Sequence, residues 1–190
     1  KEYDVSDEFK FGFNTQYMNK LLKVVKRKEE IVIEADTPGE VRLVLSGSLN
    51  RVFNINNLEI IPPEVPEINL EFDVRATINA TGFKNAVEEI YEVSDTLLIS
   101  ANEEKVIIKG EGESKVDVEF AKDTGSASSI EIVKSSTSSY DVSYLFDILS
   151  LTNLSRYISI AFAEQKPMQL EFNMEKGGGK VSYLIAPKIT

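Results

Sequence analysis

Hydrophobic and polar residues alternate with a period of two along much of this chain, a pattern typical of half-buried β-strands. Three stretches show a helical period instead. The predicted helices span residues 16–26, 83–93 and 142–151. The predicted strands span residues 8–13, 30–35, 41–46, 51–56, 69–78, 96–101, 105–110, 114–120, 130–133, 138–141, 157–162, 168–174 and 180–185.

Superposing the three predicted helices gives a repeat of about sixty residues, each copy a strand, a helix and three strands. A proline-rich segment over residues 58–68 follows the first copy. Its prolines exclude a helix or a central strand, and its apolar residues are unusual for a solvated tether. The pattern therefore predicts an α+β protein with half of one domain at 1–57, a connector at 58–68 and a second domain at 69–190.

The first predicted helix has one apolar and one basic side. The basic side comprises Lys20, Lys23, Lys26 and Arg27. Such a stripe by itself is more often a solvated surface than a nucleic-acid site. The second helix is mixed, because Lys84 shares its polar side with three glutamates.

Composition excludes several classes of chemistry. The chain of 190 residues contains neither cysteine nor histidine, which removes thiolate nucleophiles and the commonest general base and metal ligand. A carboxylate-based hydrolase is the weakest hypothesis, because no motif accompanies the acidic residues. The net charge of −10 disfavours nucleic acid unless the basic residues are concentrated on one face. No apolar run approaches the length of a membrane span, and the first residues resemble neither a signal peptide nor a natural N-terminus.

Four segments carry a family resemblance. They are Asn19-Lys20-Leu21-Leu22-Lys23, Ile68-Asn69-Leu70-Glu71-Phe72-Asp73, Gln165-Lys166-Pro167-Met168-Gln169-Leu170-Glu171-Phe172 and Tyr183-Leu184-Ile185-Ala186-Pro187-Lys188-Ile189. In these segments the chain resembles the DNA sliding clamps of the archaeal proliferating cell nuclear antigen (PCNA) family. The resemblance implies an α+β clamp fold, with sheets outside and helices lining a ring, and an absent first unit of domain one.

The same resemblance implies a non-enzymatic processivity factor, with no cofactor and no metal, that encircles duplex DNA without sequence specificity. Implied partners are DNA polymerase, flap endonuclease, DNA ligase, the clamp loader and other clamp subunits in a homo- or heterotrimer. Members of that family bind short peptides that carry a glutamine, an aliphatic residue and an aromatic pair. The implied location is the cytoplasm, at the nucleoid, or the nucleus in a eukaryote. The alternative is an interaction module that binds partner peptides or subunits without encircling DNA.

The resemblance also implies three sets of site residues. The DNA-facing set is Lys20, Lys23, Lys26, Arg27 and Lys84. The partner-peptide pocket is Val65, Pro66, Pro167, Ala186, Pro187, Lys188 and Ile189. The subunit interface pairs one edge strand with another, through Arg51, Val52, Phe53, Asn54 and Ile55 and through Lys115, Val116, Asp117, Val118 and Glu119.

Overall fold

The computed structural model describes residues 4, 9–61, 70–102, 104–174 and 178–189, apart from the side chain of Asp36. The chain divides into two compact units, Lys1–Glu67 and Ile68–Thr190.

Unit 1 is a helix packed on a small antiparallel sheet. Its elements are α1 (Thr15–Lys23), β1 (Glu30–Thr37), β2 (Glu40–Ser46) and β3 (Arg51–Asn56), and its sheet has the order β1-β2-β3. Alternate residues of β2 point to the helix, as the period-two pattern predicts. The buried cluster combines Leu21 of α1 with Leu43, Leu45 and Ile55 of the sheet.

The strand predicted over residues 8–13 is wrong, because its described residues form no strand. The side chain of Asn57 holds these residues in place of hydrogen bonds to a neighbouring strand. The Asn57 side-chain nitrogen Nδ2 donates to the backbone carbonyls of Lys10 and Pro38 at 3.0 and 2.8 Å. The side-chain oxygen Oδ1 accepts from the backbone amide of Gly12 at 2.9 Å. Gly12 approaches the Leu58 carbonyl so closely that a Cβ would lie 2.1 Å from that oxygen.

Helix α1 ends at Lys23, so the prediction that Lys26 and Arg27 belong to its basic side is wrong. The chain turns there instead. The Glu29 carboxylate accepts from the Lys26 amide at 2.8 Å, and Lys28 adopts a left-handed φ of 82°. That hydrogen bond lowers the pKa of Glu29 against the effect of burial, with Arg51 contributing further.

Unit 2 contains the remaining elements. They are β4 (Val74–Asn79), α2 (Ala80–Val93), β5 (Thr96–Asn102), β6 (Lys105–Glu111), β7 (Lys115–Ala121), β8 (Ala127–Ile132), β9 (Ser136–Asp141), α3 (Val142–Asp147), a 3-10 helix (Leu149–Leu154), β10 (Tyr157–Phe162), β11 (Met168–Asn173) and β12 (Lys180–Ile185). They form two antiparallel sheets of order β12-β11-β10-β4-β8 and β7-β6-β5-β9.

The two repeats of unit 2 exchange their first strands. Strand β4 precedes α2 but pairs with β10 of the following repeat, whereas β9 precedes α3 but pairs with β5 of the earlier one. One continuous core results, in which Phe83 of α2 is buried with Phe120, Phe162 and Phe172 of the sheets. Because of this exchange, the two repeats share one hydrophobic core.

Several predicted boundaries in unit 2 are wrong, since α2, β8 and β9 begin two or three residues earlier than predicted, and two boundaries differ more. The strand predicted from residue 69 begins at Val74. The helix predicted over 142–151 stops at Asp147 and gives way to the 3-10 helix, in which the Thr152 hydroxyl donates to the Leu149 carbonyl at 2.6 Å. Among the described residues, no helix is long and apolar enough to cross a membrane.

A candidate docking cleft, a basic helix and two strand edges

The C-terminal tail, residues 186–189, leaves the sheet after β12 and crosses to the edge of β9. The Lys188 amide donates to the Ser139 carbonyl at 2.7 Å. Strand β9 terminates its sheet, so its outer edge offers backbone groups that no neighbouring strand of that sheet satisfies. The tail therefore occupies part of an otherwise open strand edge.

A cleft of about 220 Å³ lies between the tail, β9 and the turn that precedes β11. Its lining residues are Thr137, Ser138 and Ser139 of β9, Glu164 and Gln165 of the turn, and Pro187, Lys188 and Ile189 of the tail. Ile189 is 91% exposed and Pro187 is half-buried, so apolar surface stands beside hydroxyl and amide groups. The lining residues are therefore mainly polar, with Pro187 and Ile189 as the apolar residues at the border of the cleft.

The turn that forms one wall is fixed from the core. Gln165 adopts a φ of 53°, and the Lys166 amide donates to the Ala163 carbonyl at 3.2 Å. The phenol of Tyr140, a residue with no exposed surface, donates to the Lys166 carbonyl at 2.9 Å. Burial raises the pKa of Tyr140, with the Ser138 hydroxyl opposing the rise, so the phenol stays protonated and able to donate at neutral pH.

The Ser138 hydroxyl is unusual among the groups that line the cleft. Ser138 is only 6% exposed, yet its Oγ forms no hydrogen bond of normal geometry within the part of the chain that the structure describes. It still interacts with the Tyr140 phenol, whose pKa it lowers, so it is poorly hydrogen-bonded but not isolated. That oxygen faces the core, and the neighbouring Thr137 and Ser139 are the more exposed hydroxyl residues of the cleft.

Helix α1 presents a basic end. The Asn14 side chain caps its start by accepting from the Tyr17 amide at 2.9 Å, and Leu21 anchors it in the core. Lys20 and Lys23 are exposed in its last turn, and neither makes an ion pair with a described residue. Cations at a helix C-terminus are stabilised by the helix dipole.

Helix α2 differs in charge from α1. Lys84 lies 3.7 Å from Glu88 across one helical turn, and Glu89 and Glu92 are exposed on the same helix. Its single lysine is therefore outweighed, and the helix attracts phosphate weakly at best.

Two strands named as the subunit interface terminate their sheets. Strand β3 ends the sheet of unit 1, with Val52 51% exposed. Strand β7 ends the four-stranded sheet of unit 2, with Val116 and Val118 turned to the core and Asp117 and Glu119 turned outward. The outward carboxylates are neutralised by β6, since Lys109 lies 3.1 Å from Asp117 and Lys105 lies 2.6 Å from Glu119.

Comparison with known proteins decides the family. Residues 64–188 match the C-terminal domain of proliferating cell nuclear antigen. The chain is 74% identical over 190 residues to DNA polymerase sliding clamp 1 of Sulfurisphaera ohwakuensis, covering the whole chain and 77% of that protein. This chain belongs to the DNA polymerase sliding clamps.

Other relatives support the same family. The chain is 58% identical to DNA polymerase sliding clamp 1 of Sulfolobus acidocaldarius, again covering 77% of it. Among solved structures, it superposes on PCNA from Thermococcus kodakaraensis with a TM-score of 0.87 at 28% identity, over 98% of this chain and 76% of that one. It superposes on the PCNA2–PCNA3 complex of Sulfolobus tokodaii with a TM-score of 0.84 at 25% identity, over 99% and 76%.

The predicted α+β clamp fold and the prediction of a non-enzymatic, archaeal-type replication clamp are thereby confirmed. Among the described residues there is no cluster of three or more acidic side chains suited to a metal.

Only some of the predicted pocket residues of this clamp line the cleft. Pro187, Lys188 and Ile189 line the cleft, whereas Ala186 and Pro167 do not. Ala186 directly follows β12, before the tail reaches β9, and Pro167 lies directly before β11. Val65 and Pro66 lie outside the described residues.

Sequence reasoning missed the other half of the cleft, namely Thr137, Ser138, Ser139, Glu164 and Gln165. The polar alternation of β9 predicts a strand but not that its edge meets the tail. The left-handed Gln165 has no signal in the local sequence.

Proposed function

We propose that this clamp encircles duplex DNA together with other clamp subunits, in the cytoplasm at the nucleoid, and docks replication and repair enzymes through the cleft beside its C-terminal tail. The observation that carries the proposal is the tail seated on the β9 edge, which creates a cleft bordered by the apolar side chains of Pro187 and Ile189.

The cleft suits a peptide with one polar and several apolar side chains. An exposed isoleucine at a cleft rim is a candidate anchor, because it gains by burial against an incoming apolar side chain. The hydroxyl of the exposed Thr137 can both donate and accept, so it matches a side-chain amide such as that of glutamine. The cleft therefore fits the glutamine–aliphatic–aromatic peptides that the family resemblance implies, carried by DNA polymerase, flap endonuclease, DNA ligase or the clamp loader.

The DNA contact is electrostatic and falls mainly to α1. Lys20 and Lys23 are exposed and have no competing carboxylate among the described residues, whereas Lys84 is paired with Glu88. Lys26 and Arg27 follow the helix and extend the basic surface of unit 1. Sparse phosphate attraction is sufficient for a ring, because topological linkage replaces tight binding.

Assembly uses the two strand edges. We propose that β3 of one subunit pairs with the β7-type edge of the next, and that β7 receives the β3-type edge of a third. Backbone pairing of open edges supplies the association. The solved complex of PCNA2 with PCNA3 from Sulfolobus tokodaii supports joining to other clamp subunits. The family resemblance implies that the assembly is a homo- or heterotrimer.

A second candidate is a docking module that never encircles DNA. One observation favours it, since all the lining residues of the cleft belong to unit 2. The module predicts the same peptide binding without assembly or DNA linkage, so the two candidates separate on assembly.

The test is calorimetric titration with a synthetic peptide of the glutamine–aliphatic–aromatic-pair type. We expect wild-type affinity in the micromolar range, about −8 kcal/mol. Ile189→Ala and Thr137→Val should each weaken it by about fivefold or more, through lost apolar burial and a lost hydrogen bond respectively.

The matched control is Val133→Ala. Val133 is 88% exposed and lies outside the cleft, so its truncation removes a comparable exposed aliphatic group. Equal affinities for all four proteins, or no binding by the wild type, would refute docking at this cleft.

A further inference from the structure

The tail is held by a contact that lies outside the cleft. The Lys188 ammonium donates to the Thr96 hydroxyl at 2.7 Å and lies 3.1 Å from the Asp95 carboxylate. Asp95 and Thr96 stand at the start of β5, the strand beside β9, and neither lines the cleft. Lys188 is thus fixed at two points, by its amide on β9 and by its ammonium on β5.

We propose that Asp95 and Thr96 are positioning residues of the docking cleft: they hold Lys188 and, through it, the tail wall formed by Pro187 and Ile189. The proposal rests on the docking function proposed above and adds to it two residues that need not touch the partner. We name the contact of Lys188 with Asp95 and Thr96 the tail latch.

The local chemistry makes the latch specific for a cation at position 188. The Thr96 hydroxyl also donates to Asp95 Oδ1 at 2.7 Å, so the carboxylate and hydroxyl are oriented together before they meet the ammonium. Asp141, at the end of β9, is the other carboxylate whose charge acts on Lys188. Because both carboxylates interact electrostatically with position 188, a cationic side chain is the complementary occupant.

The latch is strong enough to affect docking and weak enough to be tested without unfolding the chain. Asp95 is 84% exposed at its side chain, so the ion pair is screened by solvent. We expect the loss of one partner to change affinity by about three- to fivefold, the range of an exposed pair with one added hydrogen bond.

The experiment measures two quantities on the same proteins: peptide affinity by calorimetry and the exchange rate of the Lys188 amide by NMR. The variants are Thr96→Val, Asp95→Asn, Lys188→Met and the double variant Asp95→Asn/Lys188→Met. Because the Lys188 amide bonds to Ser139, its exchange rate reports whether the tail stays seated even without a peptide.

The control is Glu171→Gln. Glu171 forms a similar partly exposed pair with Lys180 at 2.9 Å between β11 and β12, away from the tail. It should leave both quantities unchanged. Lys188→Arg keeps the cation and should restore most of the affinity that Lys188→Met loses.

The expected result is a threefold or greater rise in Lys188 amide exchange in Thr96→Val and Asp95→Asn, with a parallel loss of affinity. The double variant should lose no more than Lys188→Met alone, because both substitutions break one contact. A general loss of stability would not produce this non-additivity.

Unchanged amide exchange in Thr96→Val and Asp95→Asn would overturn the latch, and so would additive losses in the double variant. If the wild type binds no peptide, the docking function itself fails, and the exchange rate alone decides whether Asp95 and Thr96 hold the tail. The two failures are therefore distinguishable.

Discussion

Replacing Tyr140 by phenylalanine removes the hydrogen bond that connects the core to the docking cleft. The phenol is fully buried and donates to the Lys166 carbonyl at 2.9 Å, at the end of the turn that carries Glu164 and Gln165. The substitution removes the hydroxyl alone and keeps the ring in the core. It should therefore loosen the turn without repacking the interior.

The magnitude follows from the exposure of the two partners. Tyr140 is buried, but Lys166 is exposed, so water can reach the abandoned carbonyl. The cost is then about 1 kcal/mol, the net value of one hydrogen bond, not the larger penalty for a stranded buried group. For a domain of this size, that lowers the melting temperature by about 3–5 °C.

The assay is thermal and denaturant unfolding, paired with titration of the glutamine-containing peptide. If the whole cost is expressed in the turn, affinity falls by about fivefold at most, since 1.4 kcal/mol is tenfold. The matched control is Tyr144→Phe, because Tyr144 is 57% exposed on α3. That variant should change stability by less than about 0.5 kcal/mol.

Two results would refute the reasoning. Equal stability losses in the two variants would mean that the buried phenol contributes no more than an exposed one. If Tyr140→Phe lowers stability by the predicted amount of about 1 kcal/mol but leaves peptide affinity unchanged, the turn does not form a wall of the binding site.

Further predictions concern DNA, assembly, unit 1 and pH. Charge reversal of Lys20 and Lys23 to glutamate should reduce clamp-dependent primer extension and its salt sensitivity without changing the melting temperature; unaffected synthesis would exclude their role. Val118→Pro should abolish subunit association measured by light scattering, with circular dichroism as the folding control, because the edge strand loses a backbone donor. Asn57→Ala should destabilise unit 1 by about 2–4 kcal/mol in denaturant unfolding, since three hydrogen bonds are lost, and an unchanged midpoint would contradict this. Hydrogen bonds from Thr96 and Lys188, with the Lys188 charge, lower the pKa of Asp95 below its usual 3.8. The contribution of the ionised Asp95 carboxylate to holding the tail is therefore complete above pH 3.8 and is lost as the pH falls through the lowered pKa. Over that pH range, Lys188 amide protection, corrected for intrinsic exchange, should fall in the wild type but stay unchanged in Asp95→Asn.

The hydrophobic pattern predicted most strands and the positions of the helices, because alternation and helical period report directly on burial. It misplaced the end of α1, where the apolar period continues through Val24 and Val25. The turn there is set by the Glu29 carboxylate and the left-handed Lys28, and neither is visible in hydrophobicity.

The sequence repeat does not predict the strand exchange of unit 2. A repeat in sequence shows that two segments resemble each other, not which segment each strand pairs with. That β4 pairs with β10, and β9 with β5, depends on contacts between residues far apart along the chain.

The candidate site divides in the same way. The tail residues of the cleft were identified through the family resemblance, because they stand together in one closing segment. Thr137–Ser139 and Gln165 were missed, since the Ser139–Lys188 hydrogen bond joins residues that no local pattern relates.

The most direct test of the central claim is retention on circular and linear DNA. The chain would be loaded with its cognate subunits and clamp loader onto a nicked circular plasmid, washed at about 1 M salt, where the Debye length is about 3 Å, and then cut once. A clamp that encircles DNA remains bound to the circle at high salt and is lost after linearisation. Loss from the circle at high salt, or equal retention on both forms, would contradict encirclement and favour the docking module.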